Sequence, residues 1–221
     1  MDINAPLVSV ILPVFNRRAL IGRAIASVQN QTIDDWELLI IDDGSIDGLE
    51  NDILPLIAQK SNFRYMKHAN RRLFASRNIG IHASLGHFIT FLDSDDEYTA
   101  RHLELRVSYL KENSDVDVIH GGVELIGDEE SFYVQDAFNP AKKIHISECC
   151  VGATFFGKKK TFVESGGFKQ TEYSAESEFL PRLSKLATVQ KVDFPTYRYY
   201  TGLEDSICTQ RKMSSEKNRL C

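Results

Sequence analysis

Apolar residues in the first half of the chain follow two alternating rhythms. Short, mainly apolar segments at Val8 to Leu12, Trp36 to Ile41, Phe63 to Met66, His87 to Leu92 and Val116 to Ile119 have the length of strands, and the first suits a buried one. Pro13 is expected to stop the first run and feed a loop. Between the runs, Ile21, Ala24, Ile25 and Val28 recur at helical spacing, as do Leu49, Ile53, Leu56 and Ile57. Two more helices are expected over Ala75 to Ser84 and Arg101 to Lys111, and Asn16 is a candidate cap for the first helix.

Strand and helix alternating in this way predict an α/β fold with a mostly parallel, Rossmann-like central sheet flanked by helices. After Gly121 the pattern loosens into a smaller mixed region. Val123 to Ile126 and Phe132 to Val134 read as a hairpin, Gly152 to Phe156 as a strand, and Ala175 to Leu186 as a helix. Thr188 to Tyr200 reads as extended segments separated by Pro195. One domain is expected over residues 1–205, divided near 121, with a polar tail at 206–221.

Composition narrows the function. The 221 residues are 43% hydrophobic and 26% charged, an ordinary globular balance, and the formal charge of −5 argues against broad capture of nucleic acid or anionic membrane. Cys149, Cys150, Cys208 and Cys221 lack paired zinc or redox spacings and read as reduced thiols. Met1-Asp2-Ile3-Asn4 has no basic leader character, and no apolar run approaches the roughly 20 residues of a membrane span. The expectation is a cytoplasmic protein, with contact at the inner face of the membrane and a homodimer left open; Arg211, Lys212, Lys217 and Arg219 make only a weak basic tail.

Parallel sheets bind ligands beyond the carboxyl ends of their strands. That rule brings Pro13 to Arg17, Asp42 to Ser45 and Asp93 to Glu97 to one edge. Asp93-Ser94-Asp95-Asp96-Glu97 places four acids in five positions directly after an apolar run. Such carboxylates repel one another unless a cation or hydrogen-bond donors compensate, and oxygen ligands suit Mg²⁺ or Mn²⁺ completed by substrate phosphates. A solvated acidic turn capping the next helix is the plainer alternative. Asp42-Asp43-Gly44-Ser45 repeats the arrangement and has the same alternative. Asn70-Arg71-Arg72 and Arg77-Asn78 supply cations suited to phosphate, while no Walker-type or dinucleotide glycine loop is present.

Val8-Ser9-Val10-Ile11-Leu12-Pro13-Val14-Phe15-Asn16, Ile41-Asp42-Asp43-Gly44-Ser45 and Phe91-Leu92-Asp93-Ser94-Asp95-Asp96, in that order, resemble the family-2 glycosyltransferases of the A-type fold. Gln29-Asn30-Gln31-Thr32, Ala75-Ser76-Arg77-Asn78-Ile79-Gly80 and Glu164-Ser165-Gly166-Gly167-Phe168 extend the resemblance over roughly residues 7 to 200. It implies a nucleotide-sugar-binding half at 1–121 and an acceptor-side half at 122–205. It also implies a nucleotide diphosphate sugar donor, with UDP the better match, and a carbohydrate or lipid-linked glycan acceptor of the kind used in cell-surface polysaccharide synthesis.

By the same resemblance Pro13, Val14, Phe15 and Asn16 cover the base, Asp43 accepts a hydrogen bond from it, and Arg77 lies near base or diphosphate. Asp93 and Ser94 approach the ribose and diphosphate, Asp95 ligates the metal with Asp93 beside it, and Asp96 orients donor or acceptor. The family carries an acidic pair on a helix before an arginine. The matching pair before Arg182 is Ala175-Glu176, so the first acid is missing and the second is Glu. Glu176 is the candidate base, with Glu178 and Glu172 as rivals and a solvated acidic helix start as the alternative. That departure keeps a non-catalytic nucleotide-sugar-binding protein open. A nucleotidyltransferase is the other rival, but it should carry a glycine-rich loop where Pro13-Val14-Phe15-Asn16-Arg17-Arg18 stands.

Overall fold

The computed structural model describes residues 5–139, 141–171, 174–203, 206 and 209. In chain order the first half contains β1 (Val8–Val14), α1 (Ile21–Gln29), β2 (Trp36–Asp42), α2 (Glu50–Gln59), β3 (Phe63–Lys67), α3 (Arg72–Ala83), β4 (Phe88–Phe91), β5 (Glu97–Tyr98) and α4 (His102–Glu112). The second half contains β6 (Val118–His120), β7 (Val123–Ile126), β8 (Tyr133–Gln135), β9 (Lys143–His145), β10 (Phe156–Lys158), α5 (Lys159–Glu164), α6 (Ala175–Leu183), β11 (Val189–Lys191) and β12 (Tyr197–Tyr200).

Seven strands form the main sheet in the order β11-β6-β10-β4-β1-β2-β3. Its strands pair in parallel except β10, which runs antiparallel to both β4 and β6. Every residue of β1, β2 and β4 is buried, and this is why these strands read as mainly apolar runs rather than alternating ones. A smaller sheet, β5-β12-β7, joins the end of the acidic loop to the C-terminal region.

Four expectations are corrected. β1 continues through Pro13 to Val14, with Pro13 in register with Ile41. Val14 accepts from Asp43 N and Ile11 accepts from Leu92 N, so Pro13, like Ile11, turns its backbone groups toward β4. The β4 ladder ends opposite Ile11, and the missing N–H therefore costs no hydrogen bond. The expected hairpin is absent: β7 pairs in parallel with β12, while β8 pairs with β9. Gly152–Thr154 forms a 3-10 turn, so the strand expected there begins only at Phe156. α6 stops at Leu183 rather than Leu186. Cys208 and nearly all of the polar tail lie outside the described residues.

Candidate active site

Because β2, β1 and β4 are parallel neighbours, their carboxyl ends meet at one edge. The loops there are tied together: Asn16 N donates to Ser45 Oγ at 2.9 Å, and Ile46 N donates to Asn16 Oδ1 at 2.9 Å. Asn16 therefore does not cap α1, which begins after Leu20 without a side-chain cap. Pro13 and Val14 are buried in the strand, leaving Phe15, 46% exposed, and Asn16 to face solvent.

Asp42 is fully buried and serves the loop itself. Burial pushes its carboxyl up, but donation from Tyr65 Oη at 2.5 Å and Ser45 N at 2.7 Å holds it below the usual carboxylate range. Asp43 differs. Its Oδ1 accepts from Arg71 N at 2.7 Å and lies 3.4 Å from His68 Nδ1. Arg71 thus contributes backbone, and its side chain and that of Arg72 are exposed at the start of α3.

The acidic loop after β4 divides its carboxylates. Arg77, 2% exposed, donates from Nη2 to both oxygens of Asp93, at 3.0 and 3.3 Å. Ser94 is buried beside it. Asp96 points inward, accepting from Tyr197 Oη at 2.6 Å and from Tyr200 N at 2.8 Å; burial, then Asp95 and Asp93, push its carboxyl well up. Tyr197 and Tyr200 thus act as a closing strand behind the loop. Asp95 faces Arg17 at 3.9 Å, and its backbone carbonyl accepts from Arg23 Nη2. Burial and then Asp93 push the Asp95 carboxyl up, while Arg17 and Arg23 pull it back. Sequence reasoning brought Arg17 to this edge without a role and missed Arg23, which lies on the first turn of α1, its guanidinium 3.5 Å from the centre of the Tyr200 ring.

Glu176, in the first turn of α6, reaches the same place. A Cβ built on Gly152 would lie 2.7 Å from Arg77 Nη1 and 3.0 Å from Glu176 Oε2, so the bare backbone of this turn lets guanidinium and carboxylate converge. Burial pushes the Glu176 carboxyl up, with Asp93 adding to that, while Arg77 and a 3.2 Å hydrogen bond from Ser174 Oγ oppose it. A half-buried carboxyl held above its ordinary range beside a buried guanidinium is suited to accept a proton. Glu178 is engaged elsewhere: Arg182 grips it at 2.6 and 3.0 Å and also donates to Ser165 O and Gly167 O. Glu172 lies outside the described residues.

The donor set fits a hard divalent ion only in part. No group of three or more His, Cys, Asp or Glu side chains that could enclose a metal occurs among the described residues. Asp95 is left under-compensated beside Asp93, which raises the cost of its charge. Two carboxylates with the remaining positions filled by diphosphate is an ordinary arrangement for Mg²⁺ and its relatives.

Comparison with known proteins places the family and the fold. The profile of glycosyl transferase family 2 matches residues 9–171. The Staphylococcus aureus poly(ribitol-phosphate) β-N-acetylglucosaminyltransferase TarP is 34% identical over 206 residues, covering 90% of this chain and 63% of that protein. The S. aureus TarS 1-349 structure in complex with UDP-GlcNAc superposes with a TM-score of 0.72 at 17% identity, over 92% of this chain and 60% of that one. A Pyrobaculum calidifontis mannosyltransferase in complex with GDP-Man and Mn²⁺ superposes with a TM-score of 0.67 at 16% identity, over 89% and 57%. The chain spans between 18% and 63% of the length of the known relatives it matches. No helix among the described residues is long and apolar enough to cross a membrane.

Proposed function

The chain belongs to glycosyl transferase family 2, and from that premise we propose that it transfers a sugar, with inversion, from a UDP-sugar to a hydroxyl of a glycan or glycopolymer. The observation that carries this reading is the convergence of Asp93, Arg77 and Glu176 around Gly152, which sets a donor-side carboxylate and a candidate base against one buried guanidinium. The UDP-GlcNAc complex of TarS and the polymer substrate in the name of TarP support the choice of donor and acceptor class.

In this reading Phe15 and Asn16 lie along the base, Asp43 presents its second oxygen to a base N–H, and Pro13 and Val14 shape the floor beneath. Asp95 and Asp93 would hold a divalent ion, Mg²⁺ or Mn²⁺, which would stabilise charge on the departing diphosphate. Arg77 keeps Asp93 in place, and Ser94 and Asp96 hold the loop's shape. Glu176 accepts the proton of the acceptor hydroxyl as the oxygen attacks the anomeric carbon. Residues 1–121 bind the donor and 122–205 form the acceptor side. Cytoplasmic placement, contact with the inner face of the membrane and pairing into a homodimer belong to the same reading, and fractionation and light scattering measure them.

The test is a panel of nucleotide sugars, with and without Mn²⁺, scored for nucleotide binding and for UDP release with polyol-phosphate and glycan acceptors. The reading expects a metal-dependent rise in thermal midpoint with UDP and acceptor-dependent UDP release. Tight UDP binding in excess chelator would remove the metal from the proposal, and binding without turnover on any acceptor would favour a non-catalytic binder.

A further inference from the structure

Arg106, on α4, is the largest side chain in the interior with no exposed surface, and nothing in the site described above uses it. Apart from burial, the one influence on its charge comes from Tyr98, and burial pushes the guanidinium down to about 10. Its Nε has no hydrogen-bond partner among the described residues, and no carboxylate among them pairs with it. An interior cation so placed is costly to keep, so what its rigid fork holds matters. Nη1 donates to Thr196 Oγ1 at 2.9 Å and Nη2 donates to the Gly121 carbonyl at 2.7 Å.

Those two acceptors begin two limbs that end on opposite walls of the candidate site. Thr196 precedes Tyr197, whose hydroxyl donates to Asp96 at 2.6 Å and accepts from Asp93 N at 3.3 Å. Gly121 N donates to Thr154 Oγ1 at 2.9 Å. Thr154 closes the turn from Gly152, donating from its N and Oγ1 to Val151 O at 2.9 and 2.7 Å. Gly152 is where Arg77 and Glu176 converge. Gly122, next to Gly121, has no room for a Cβ, which would meet Phe194 O at 2.1 Å, so this crossing between strands is tight. His102 supports the same point, with Nδ1 3.0 Å from Thr196 Oγ1 and its ring stacked on Tyr98 at 3.6 Å.

We propose that Arg106 is a positioning residue that sets the spacing between the acidic loop and the turn beneath Glu176, so that donor and attacking hydroxyl meet at reactive distance. This rests on the transferase reading above. A single side chain can do so because each limb runs through direct hydrogen bonds joined by short stretches of backbone, and a small misplacement of reacting groups is expensive in rate.

The experiment uses the full chain as wild type, Arg106→Lys, Thr154→Val and the double variant. Arg106→Lys keeps the charge and loses the fork. It is expected to lower kcat by about tenfold or more while donor KM stays within about threefold. Thr154→Val is expected to lower kcat less, and adding it to Arg106→Lys to cost under about twofold more, as members of one network should. UDP titration counts folded sites. Hydrogen exchange should accelerate in Arg106→Lys at both Asp93 to Tyr98 and Gly152 to Phe156.

A kcat within twofold of wild type, or a loss matched by the loss of UDP-binding sites, overturns the proposal. If Arg106→Lys does not fold, Thr154→Val decides by the same measures. If wild type transfers to no acceptor, the transferase reading has failed, and exchange still decides the spacing role: acceleration confined to one wall, or to α4 alone, overturns it.

Discussion

The main sheet carries carboxylates at both ends, one buried and two partly buried, and the two ends are built on opposite principles. At the amino ends of the strands, Glu37 of β2 is 3% exposed, and the protein answers both of its oxygens: Ser9 Oγ and Leu85 N donate to Oε1 at 2.6 Å each, and Arg64 donates to Oε2 at 2.9 Å. At the carboxyl ends, Arg77 donates to both oxygens of Asp93, but Asp95 meets Arg17 at 3.9 Å and Arg23 through its backbone carbonyl, and its carboxyl is still pushed up by burial and by Asp93. A carboxylate answered by fixed donors belongs to the architecture. One left short of compensation is stored capacity to bind a cation or accept a proton, and the contrast tells the two apart within a single sheet.

The sharpest way to test the contrast is to neutralise the carboxyl end. Glu176→Gln preserves shape and removes only the proton acceptor; kcat is expected to fall on the order of 10² to 10⁴, with UDP affinity nearly unchanged. Steady-state kinetics beside UDP titration measure it, and full turnover would take Glu176 out of the base role. The raised carboxyl also predicts that the acidic limb of kcat lies above the ordinary glutamate range, activity rising as pH climbs through it. Asp95→Ala acts on the donor instead. It should lower transfer on the order of 10² to 10³ and weaken Mn²⁺-dependent UDP binding, which calorimetry with and without chelator reads directly.

How much of this contrast was legible in the chain depends on whether a feature is local. The parallel core declared itself because β1, β2 and β4 are buried on both faces and so read as mainly apolar runs, with few polar positions. The acidic loops were legible too, being contiguous. Their compensation was not. Arg23 meets the Asp95 carbonyl across 72 positions of sequence, and Tyr197 meets Asp96 across 101. Strand partners failed for the same reason: β7 looked ready to fold back locally, yet it pairs with β12. Pro13 misled because which neighbour a strand residue's backbone faces depends on register, and register is a property of the sheet. Gly152 looked like part of a strand, and only the approach of Arg77 and Glu176 shows why it carries no side chain.

At the amino end the prediction reverses. Glu37→Ala leaves Ser9, Leu85 N and Arg64 without their common acceptor, and should cost about 2 to 3 kcal/mol of stability, discounted because the Arg64 side chain is 36% exposed and partly solvated already. Urea unfolding with unchanged m-value measures the cost, and kcat per folded molecule should hold within about twofold. A selective loss of turnover with stability intact would erase the distinction between the two ends.

The smallest effect is the most discriminating, because its sign is opposite. Asp95→Asn, measured in chelator, should raise Tm, by about 2 °C or less. The wild-type carboxyl is pushed above its unfolded value. Its favourable contribution is therefore fully present below the unfolded carboxylate pKa and is lost as pH rises through the raised folded value. Asparagine imitates the neutral form and loses nothing over that range. The gap between variant and wild type should thus be near zero in acid and widen toward neutral pH. A gap that widened toward acid instead would mean that the folded loop favours the charged carboxylate, and the acidic loop would then be as well answered as Glu37.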